Sequence, residues 1–310
     1  MRQQQPVFSI IIPTYSRPGP VAACLQAFSE FDYPRERFEV IVVDDGSPTP
    51  SKAVVEPLRD RLQLTLLLQR HAGPAAARNA GAMRARGKYL AFTDDDCLPA
   101  ADWLKALATR FEWAPDQLIG GRIVNALPDN PYSAAAQLLV DYMYTYRNSH
   151  PNQANFFASN NLAVPAERFR AIGGFDTSFS LAAGEDREFC DRWLHYGYEM
   201  TYAPEVLVYH AHDLSLRSFW RQQLRYGRGA FSFHRTRARR KQTGIRVEVP
   251  SFYLNLLQYP FAQGRRGREL VLAVLLLVSQ AAVATGFFLE KVMQIYRGIR
   301  FGEAFGKTAQ

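Results

Sequence analysis

The chain has 310 residues, 47% of them apolar, and a formal net charge of +8. A chain this long and this apolar can bury a sizeable core, which excludes disorder as its default and leaves room for one large domain plus an appendage. Three widely spaced cysteines, Cys24, Cys97 and Cys190, exclude a zinc pattern or a disulfide framework and suit a reducing compartment; no apolar signal segment precedes the first strand-like run, so an N-terminal part that is never exported is expected.

Residues 7–12 form a short, β-branched apolar run ended by Pro13, which reads as a strand. The loop Thr14-Tyr15-Ser16-Arg17-Pro18 follows, then a helix with Val21, Leu25 and Phe28 on one side. Residues 38–43 are a second buried strand, closing on Asp44-Asp45-Gly46-Ser47, and residues 62–68 are a third. An Ala-rich helix over 75–86 carries Arg78 and Asn79. A fourth strand, 89–92, runs straight into Asp94, Asp95 and Asp96. Strands alternating with helices predict a parallel, doubly wound sheet, and ligands of such sheets bind at the carboxyl ends of the strands. Asp44-Asp45, Asp94–Asp96 and Arg78 should therefore meet on one rim.

Three adjacent aspartates repel one another unless a cation or a set of donors neutralises them. Hard divalent ions take oxygen ligands and commonly sit between carboxylates and substrate phosphates, so a metal–phosphate site is expected. The plainer reading is an acidic turn capping a helix that starts near residues 99–103. Further on, residues 118–124 read as a strand, 133–146 as a helix, and 155–164, with Ser159-Asn160-Asn161, as extended. A paired-glycine turn follows at 171–176. Glu185, Asp186 and Glu188 crowd the first turn of the next helix, where the helix dipole favours negative charge. A last strand, 199–209, ends in His210-Ala211-His212, with both histidines on one face.

Five motifs now stand in order: Ser9-Ile10-Ile11-Ile12-Pro13-Thr14-Tyr15, Val42-Val43-Asp44-Asp45-Gly46-Ser47, Ala77-Arg78-Asn79-Ala80-Gly81, Thr93-Asp94-Asp95-Asp96, and Gly173-Gly174-Phe175-Asp176 followed by Glu185-Asp186. Each is weak alone, but together, over about residues 7–230, they resemble the family 2 glycosyltransferases, in a membrane-associated, bacterial-type form. The resemblance implies the GT-A fold, a doubly wound, mostly parallel α/β sheet, and inverting, metal-dependent transfer from a nucleoside diphosphate sugar to a hydroxyl. It implies that Asp96 binds Mn2+ or Mg2+, with His210 rather than His212 as a further ligand, and that Asp186 is the catalytic base. Donor contacts would come from Pro13, Thr14, Tyr15, Asp45, Arg78, Asp94, Asp95 and Asn160. Asp45 would read the base; a carboxylate can accept the ring N–H of a pyrimidine, which points to a UDP-sugar. Asp44 reads as strand-end support.

The charge is split along the chain. Residues 1–216 hold 20 Lys/Arg against 25 Asp/Glu, whereas residues 217–310 hold 17 against 4. From Arg217 to Arg246 there are ten basic residues and no acid, interleaved with Trp220, Tyr226, Phe231 and Phe233. Residues 270–289 carry no charge and as a helix would be about 30 Å long, enough to reach across a bilayer core. Both flanks are basic, with Arg265, Arg266 and Arg268 before and Lys291, Arg297, Arg300 and Lys307 after, so neither end is marked as outside. This predicts a transferase domain over 1–216 and a helical, membrane-associating region over 217–310. The latter would lie in or dip into the cytoplasmic leaflet of the cell (inner) membrane against anionic lipids, with Val292, Ile295 and Ile299 on an interfacial helix. A single span is the alternative. The acceptor would be a saccharide or lipid-linked saccharide, with no nucleic acid partner. Two rival readings remain, a sugar nucleotidyltransferase and a non-catalytic membrane or nucleic-acid binder. The first normally needs a Gly-rich phosphate loop where this chain has Pro13-Thr14-Tyr15-Ser16.

Overall fold

The computed structural model describes residues 6–148, 150, 153–179, 181–245, 248–264 and 267–306, without the side chains of 297–306. Arg246, Arg265, Arg266 and Lys307, and the side chains of Arg297, Ile299 and Arg300, lie outside the described residues.

Four strands build the N-terminal half of the sheet: β1 (Phe8–Thr14), β2 (Phe38–Asp44), β3 (Leu64–Leu68) and β4 (Tyr89–Phe92). They pair in parallel in the order β3-β2-β1-β4. The apolar runs are continuous because both faces are covered. Alternate residues go to opposite layers. Ile10, Ile12, Val40 and Val42 meet Val21, Leu25 and Phe28 of α1 (Pro18–Ser29). Ile11, Ile41, Val43 and Phe92 form a second core with Ala77 and Ala82. The short α2 (Lys52–Val55) lies between β2 and β3, and α3 (Pro74–Arg84) between β3 and β4. Strand order reverses between β1 and β4, which opens a crevice at the carboxyl ends of these strands.

The sheet then becomes mixed. In chain order come β5 (Cys97–Pro99), α4 (Trp103–Trp113), β6 (Leu118–Asn125), α5 (Pro131–Arg147), β7 (Leu162–Pro165), α6 (Ala166–Ala171), α7 (Glu185–His195) and β8 (Met200–His210). β7 pairs antiparallel with β4 and β6, β8 is parallel to β6, and β5 closes the edge antiparallel to β8. All eight strands form one sheet, β3-β2-β1-β4-β7-β6-β8-β5. Helix–strand alternation predicts crossovers but not the direction in which a later strand re-enters, so the all-parallel pattern holds for the first four strands and recurs beyond them in the β6–β8 pair. Most of residues 155–161 is irregular, with a 3-10 turn at Ser159–Asn161. Asn161 holds that turn in place: its amide donates to the carbonyls of Arg122 and Val206, and its Oδ1 accepts from Trp103 Nε1.

The chain divides into two compact units, Met1–Ser180 with Glu185–Asp213 and Leu181–Gly184 with Leu214–Gln310. The second contains α8 (Leu216–Lys241), α9 (Pro250–Ala262) and α10 (Glu269–Gly306). Helices α8 and α10 run side by side and parallel, Gln223 beside Ser279, Arg228 beside Glu290 and Ser232 beside Gln294. Their backbones nearly touch. A Cβ on Gly227 would fall 2.0 Å from the Val283 carbonyl oxygen, and one on Gly286 would fall 2.1 Å from that of Leu224. These polar pairs join the helices, and Phe231, Leu272, Leu276 and Ala282 are buried, whereas Leu270, Val274, Leu277, Phe288 and Ile295 are exposed. The segment Glu269–Tyr296 is, among the described residues, the one helix long and apolar enough to cross a membrane by length and composition, with a mean hydropathy of 2.2 over its most apolar 18 residues. The core helix of a soluble protein would be mostly buried; here 39% of the most apolar stretch is.

Candidate active site

The end of β2 separates two adjacent aspartates. Asp44 accepts from Ser47 N–H at 2.9 Å, Ser51 N–H at 2.7 Å and Ser51 Oγ at 2.9 Å. Burial works against its charge, but these donors outweigh it and hold the carboxyl below the usual range. Asp45 faces the opening of α3. Its Oδ1 accepts from Gln69 Nε2 at 2.6 Å and Ala72 N–H at 2.9 Å, its Oδ2 from Gly73 N–H at 2.8 Å, and His71 Nδ1 lies 2.9 Å from Oδ2. The exposed Tyr15 ring lies against the His71 ring, with centroids 4.4 Å apart. Pro13 and Thr14 complete the rim at the end of β1.

The three acids after β4 diverge. They do not cap α4, which begins at Trp103, beyond β5. Asp94 turns to Arg78, 2.7 Å away. Asp95 is buried, accepts from Thr14 Oγ1 at 2.6 Å and pairs with Arg17 at 2.8 Å; burial still pushes its carboxyl up to about 7. Asp96 shares Arg17 through Oδ2 at 2.8 Å and faces His210 Nε2 through Oδ1 at 3.2 Å. Burial again opposes its charge, but the His210 hydrogen bond, the His210 charge and Arg17 together hold it well below the carboxylate range. The β5–β8 register produces this neighbourhood. It pairs Cys97 with His210, and Ala211 N–H donates to the Asp96 carbonyl at 2.8 Å. His212 lies beside His210, with ring centroids 4.7 Å apart; burial, then the charge of His210, lowers its pKa to about 4.

A divalent ion fits the Asp96–His210 pair. Ligands ~2.1 Å from an octahedral ion and at right angles to each other lie roughly 3 Å apart, close to the observed separation. A carboxylate oxygen with an imidazole nitrogen suits Mn2+, and Mg2+ less well. Ligand atoms of Asp96, Cys97 and His210 all lie within 4.8 Å of one another. Burial, then the nearby aspartates, raises the Cys97 thiol far above its usual range, so it offers no thiolate.

Arg78 links the acid turn to α7. Its guanidinium is buried between Asp94 and Glu185, at 2.7 and 3.0 Å, and lies over the Phe175 ring. Both arms are thus engaged with acids. Asn79, next in the chain, explains the paired glycines. Its amide donates to the Phe175 carbonyl and accepts from Phe175 N–H, both at 2.8 Å. Gly174 adopts a φ of 67°, and a Cβ there would sit 2.5 Å from Asn79 Oδ1. Glu185 and Asp186 open α7. Burial first, then the charge of Asp186, raises Glu185 to about 7, and burial raises Asp186. Glu185 Oε2 and Asn160 Oδ1 are buried and make no hydrogen bond among the described residues. Orphaned buried acceptors are uncommon and mark positions where a ligand can supply the donor.

Three participants are not visible from motif spacing alone. Arg17 reads as a loop residue, yet it neutralises Asp95 and Asp96. Gln69 and His71 close around Asp45 from the segment before α3. The available signal was their position next to strand ends that carry unpaired acids.

The sequence matches Glycosyl transferase family 2 over residues 9–170 and Glycosyl transferase family group 2 over residues 91–294. It is 28% identical over 232 residues to Glycosyltransferase AglE of Haloferax volcanii, covering 74% of each chain. Other curated glycosyltransferases are matched over about half of their own length, 54% and 41% in two cases. Among solved structures, the mannosyltransferase PcManGT of Pyrobaculum calidifontis, in complex with GDP-Man and Mn2+, superposes with a TM-score of 0.61 at 22% identity, over 96% of this chain and 83% of that one. S. aureus TarS 1-349, in complex with UDP-GlcNAc, superposes with a TM-score of 0.52 at 16% identity, over 94% and 91%. With a doubly wound half-sheet, aspartates at its carboxyl rim and family matches that together run through most of the chain, this protein belongs to glycosyl transferase family 2, has the GT-A fold and is a glycosyltransferase.

Proposed function

We propose that the chain transfers a sugar, with inversion, from a nucleoside diphosphate sugar to a hydroxyl acceptor in cell-surface glycan or lipid-linked saccharide synthesis. The observation that carries this reading is the Asp96–His210 pair, 3.2 Å apart on the rim to which Arg78 ties the α7 acids. Asp96 and His210 would hold Mn2+ or Mg2+. When bound, the ion would supply Lewis acidity against the charge that builds on the leaving diphosphate. Asp186 accepts the proton of the attacking hydroxyl, and its raised pKa makes it a better base than an ordinary aspartate. One such base is enough for direct displacement. Arg78 fixes Asp94 on the ribose side and Glu185 beside the base, while Asn160 offers its orphaned oxygen to a sugar hydroxyl.

The exposed ring of Tyr15, packed on His71, gives an aromatic face against which a base can stack. Asp45 is held by two backbone donors that cannot leave and by the Gln69 side chain, which can. Exchange of Gln69 for the ring N–H of uracil would make Asp45 a pyrimidine reader, so a UDP-sugar is the expected donor. Thr14 and Asp95, hydrogen-bonded to each other, and Pro13 shape the floor beneath it.

We take residues 1–216 as the transferase body and residues 217–310 as a membrane-associating region at the cytoplasmic face of the inner membrane. The exposed apolar residues of α10, together with the close backbone approach and polar contacts between α8 and α10, support this, because helices in lipid are held by such contacts. A lying or dipping helix is favoured over a span. Where α10 is most apolar it runs beside α8, whose exposed Arg217, Arg221 and Arg225 would have to enter the hydrocarbon with it.

The test is release of nucleoside diphosphate from a panel of nucleotide sugars, with Mn2+, Mg2+ or chelator, for the wild type and Asp96→Ala. Metal-dependent release from one donor, reduced roughly 10³-fold or more in the variant, is expected, since the ion's charge stabilisation amounts to several kcal/mol. Release that persists in chelator and in the variant would remove the metal from the reaction.

A further inference from the structure

The loop after β1 brings a cation of its own to the acid cluster. Arg17 lies between β1 and α1, and its guanidinium spans Asp95 Oδ1 and Asp96 Oδ2, each at 2.8 Å. The loop backbone is set for this reach. Ser16 adopts a φ of 56°, uncommon for a residue other than glycine, and its N–H donates to Ser47 Oγ at 2.8 Å. Arg17 is the N-cap residue of α1 but makes no side-chain cap, so its side chain is committed to the aspartates. It is 43% exposed, whereas the two carboxylates are 4% and 7% exposed. A long side chain is thus anchored on buried acids and has an open path back to solvent.

The hydrogen-bonding capacity of the cluster is small. Asp95 divides its oxygens between Thr14 and Arg17, and Asp94 is taken by Arg78. Asp96 serves two nitrogen partners, Oδ2 towards Arg17 and Oδ1 towards His210 Nε2. An ion bound by Asp96 and His210 would set a double positive charge beside a guanidinium on the same buried carboxylate. Like charges so close, in a poorly solvated site, disfavour each other strongly.

We propose that Arg17 and the divalent ion are mutually exclusive partners of Asp96: Arg17 neutralises the buried aspartates, and binding of the ion releases Arg17 and its loop towards solvent. The inference rests on the Asp96–His210 metal reading above. It is tested on the full chain with Mn2+ alone, without a nucleotide sugar. Mn2+ affinity is measured by electron paramagnetic resonance titration, and amide exchange is followed in a peptide covering residues 14–19. Arg17→Gln should bind Mn2+ about tenfold or more tightly than the wild type, because a competing unit charge is gone. In the wild type Mn2+ should increase deuterium uptake in the peptide; in Arg17→Gln uptake should already be high and should not respond. Equal Mn2+ affinity in both proteins would overturn the proposal and leave the metal reading standing. So would tighter binding in the variant without a rise in wild-type uptake, which would reflect through-space charge alone. Failure of Mn2+ to bind either protein would overturn the metal reading itself, and the proposal with it.

Discussion

Both compact units bury apolar residues, but the second also leaves a row of large apolar residues exposed. In the sheet unit, apolar residues from both faces of β1, β2 and β4 are buried in two layers, and the acids that follow β4, with Glu185, are paired at the rim with Arg17, Arg78 and His210. In the α8–α10 pair, Gln223 with Ser279, Arg228 with Glu290 and Ser232 with Gln294 make polar contacts between the helices, Phe231, Leu272 and Leu276 are buried, and Leu270, Val274, Leu277, Phe288 and Ile295 remain exposed. Water drives apolar groups inwards, but lipid gives them no reason to leave the surface. Helices in lipid are instead held by close backbone approach and by polar contacts, the two features found at Gly227, Gly286 and the Arg228–Glu290 pair. At the rim, charge is held ready for use; between α8 and α10 it holds two helices together.

The largest effect should come from breaking the rim at Asp186. Asp186→Asn keeps the shape but cannot accept a proton, so turnover should fall roughly 10²–10⁴-fold. Nucleotide binding by calorimetry should be unchanged, because none of the rim contacts to Asp45, Asp94 or Asp96 is touched. Turnover within a few-fold of wild type would reassign the base, with Glu185 the nearest alternative.

A change in the seam and a change on the outward face of the second unit should have opposite consequences. Gly286→Leu pushes a side chain into the Leu224 backbone and should lower the unfolding temperature while the outward face keeps its composition. Replacement of Leu277 and Phe288 by Gln removes two exposed apolar groups and should leave that temperature nearly unchanged. It should weaken binding to vesicles containing anionic lipid by about 1.5–3 kcal/mol per side chain, or roughly 10–150-fold each. Unchanged vesicle binding in the double variant would mean that the exposed face meets something other than lipid.

The half-sheet was legible in the sequence because its strands are buried on both faces. Runs such as residues 7–12 and 38–43 leave no other place to go, and each ends in a residue with chemistry. The motifs located Asp44, Asp45, Asp94, Asp95, Asp96 and Asp186, but not their partners. Arg17 reaches Asp96 from 79 positions away, and Arg78 reaches Glu185 across 107. Spacing along the chain carries no trace of such pairs. His210 stands out in the sequence only through the family resemblance, and its register with Cys97 depends on β5, a strand of three residues too short to announce itself. The mixed second half of the sheet was hidden for a related reason, since the four residues of β7 read the same whichever way the strand enters the sheet. In the tail, composition revealed an apolar helix, but the seam became apparent only once Gly227 and Gly286 were seen opposite neighbouring backbone.

The smallest effect is the most exacting test of the rim, because it asks whether Glu185 is kept there uncharged. Burial, then the neighbouring Asp186, raises its pKa to about 7, against about 4.3 for a glutamate in the unfolded chain. A carboxyl whose folded value is raised contributes stability that is fully present below the unfolded value and is lost as pH rises through the folded one. Between pH 5 and pH 8 the folded protein should therefore lose stability through this group, on the order of 1–3 kcal/mol. Glu185→Gln removes the titration while keeping an acceptor for Arg78. Urea unfolding followed at both pH values should show a smaller drop in the variant than in the wild type. Glu185 and Asp186 titrate as a pair, so the midpoint of the wild-type loss belongs to both. A larger drop in the variant would carry the opposite meaning: the Arg78 ion pair would then be holding Glu185 charged, and the α7 acids would be a clamp on Arg78 more than a store of basicity for the acceptor.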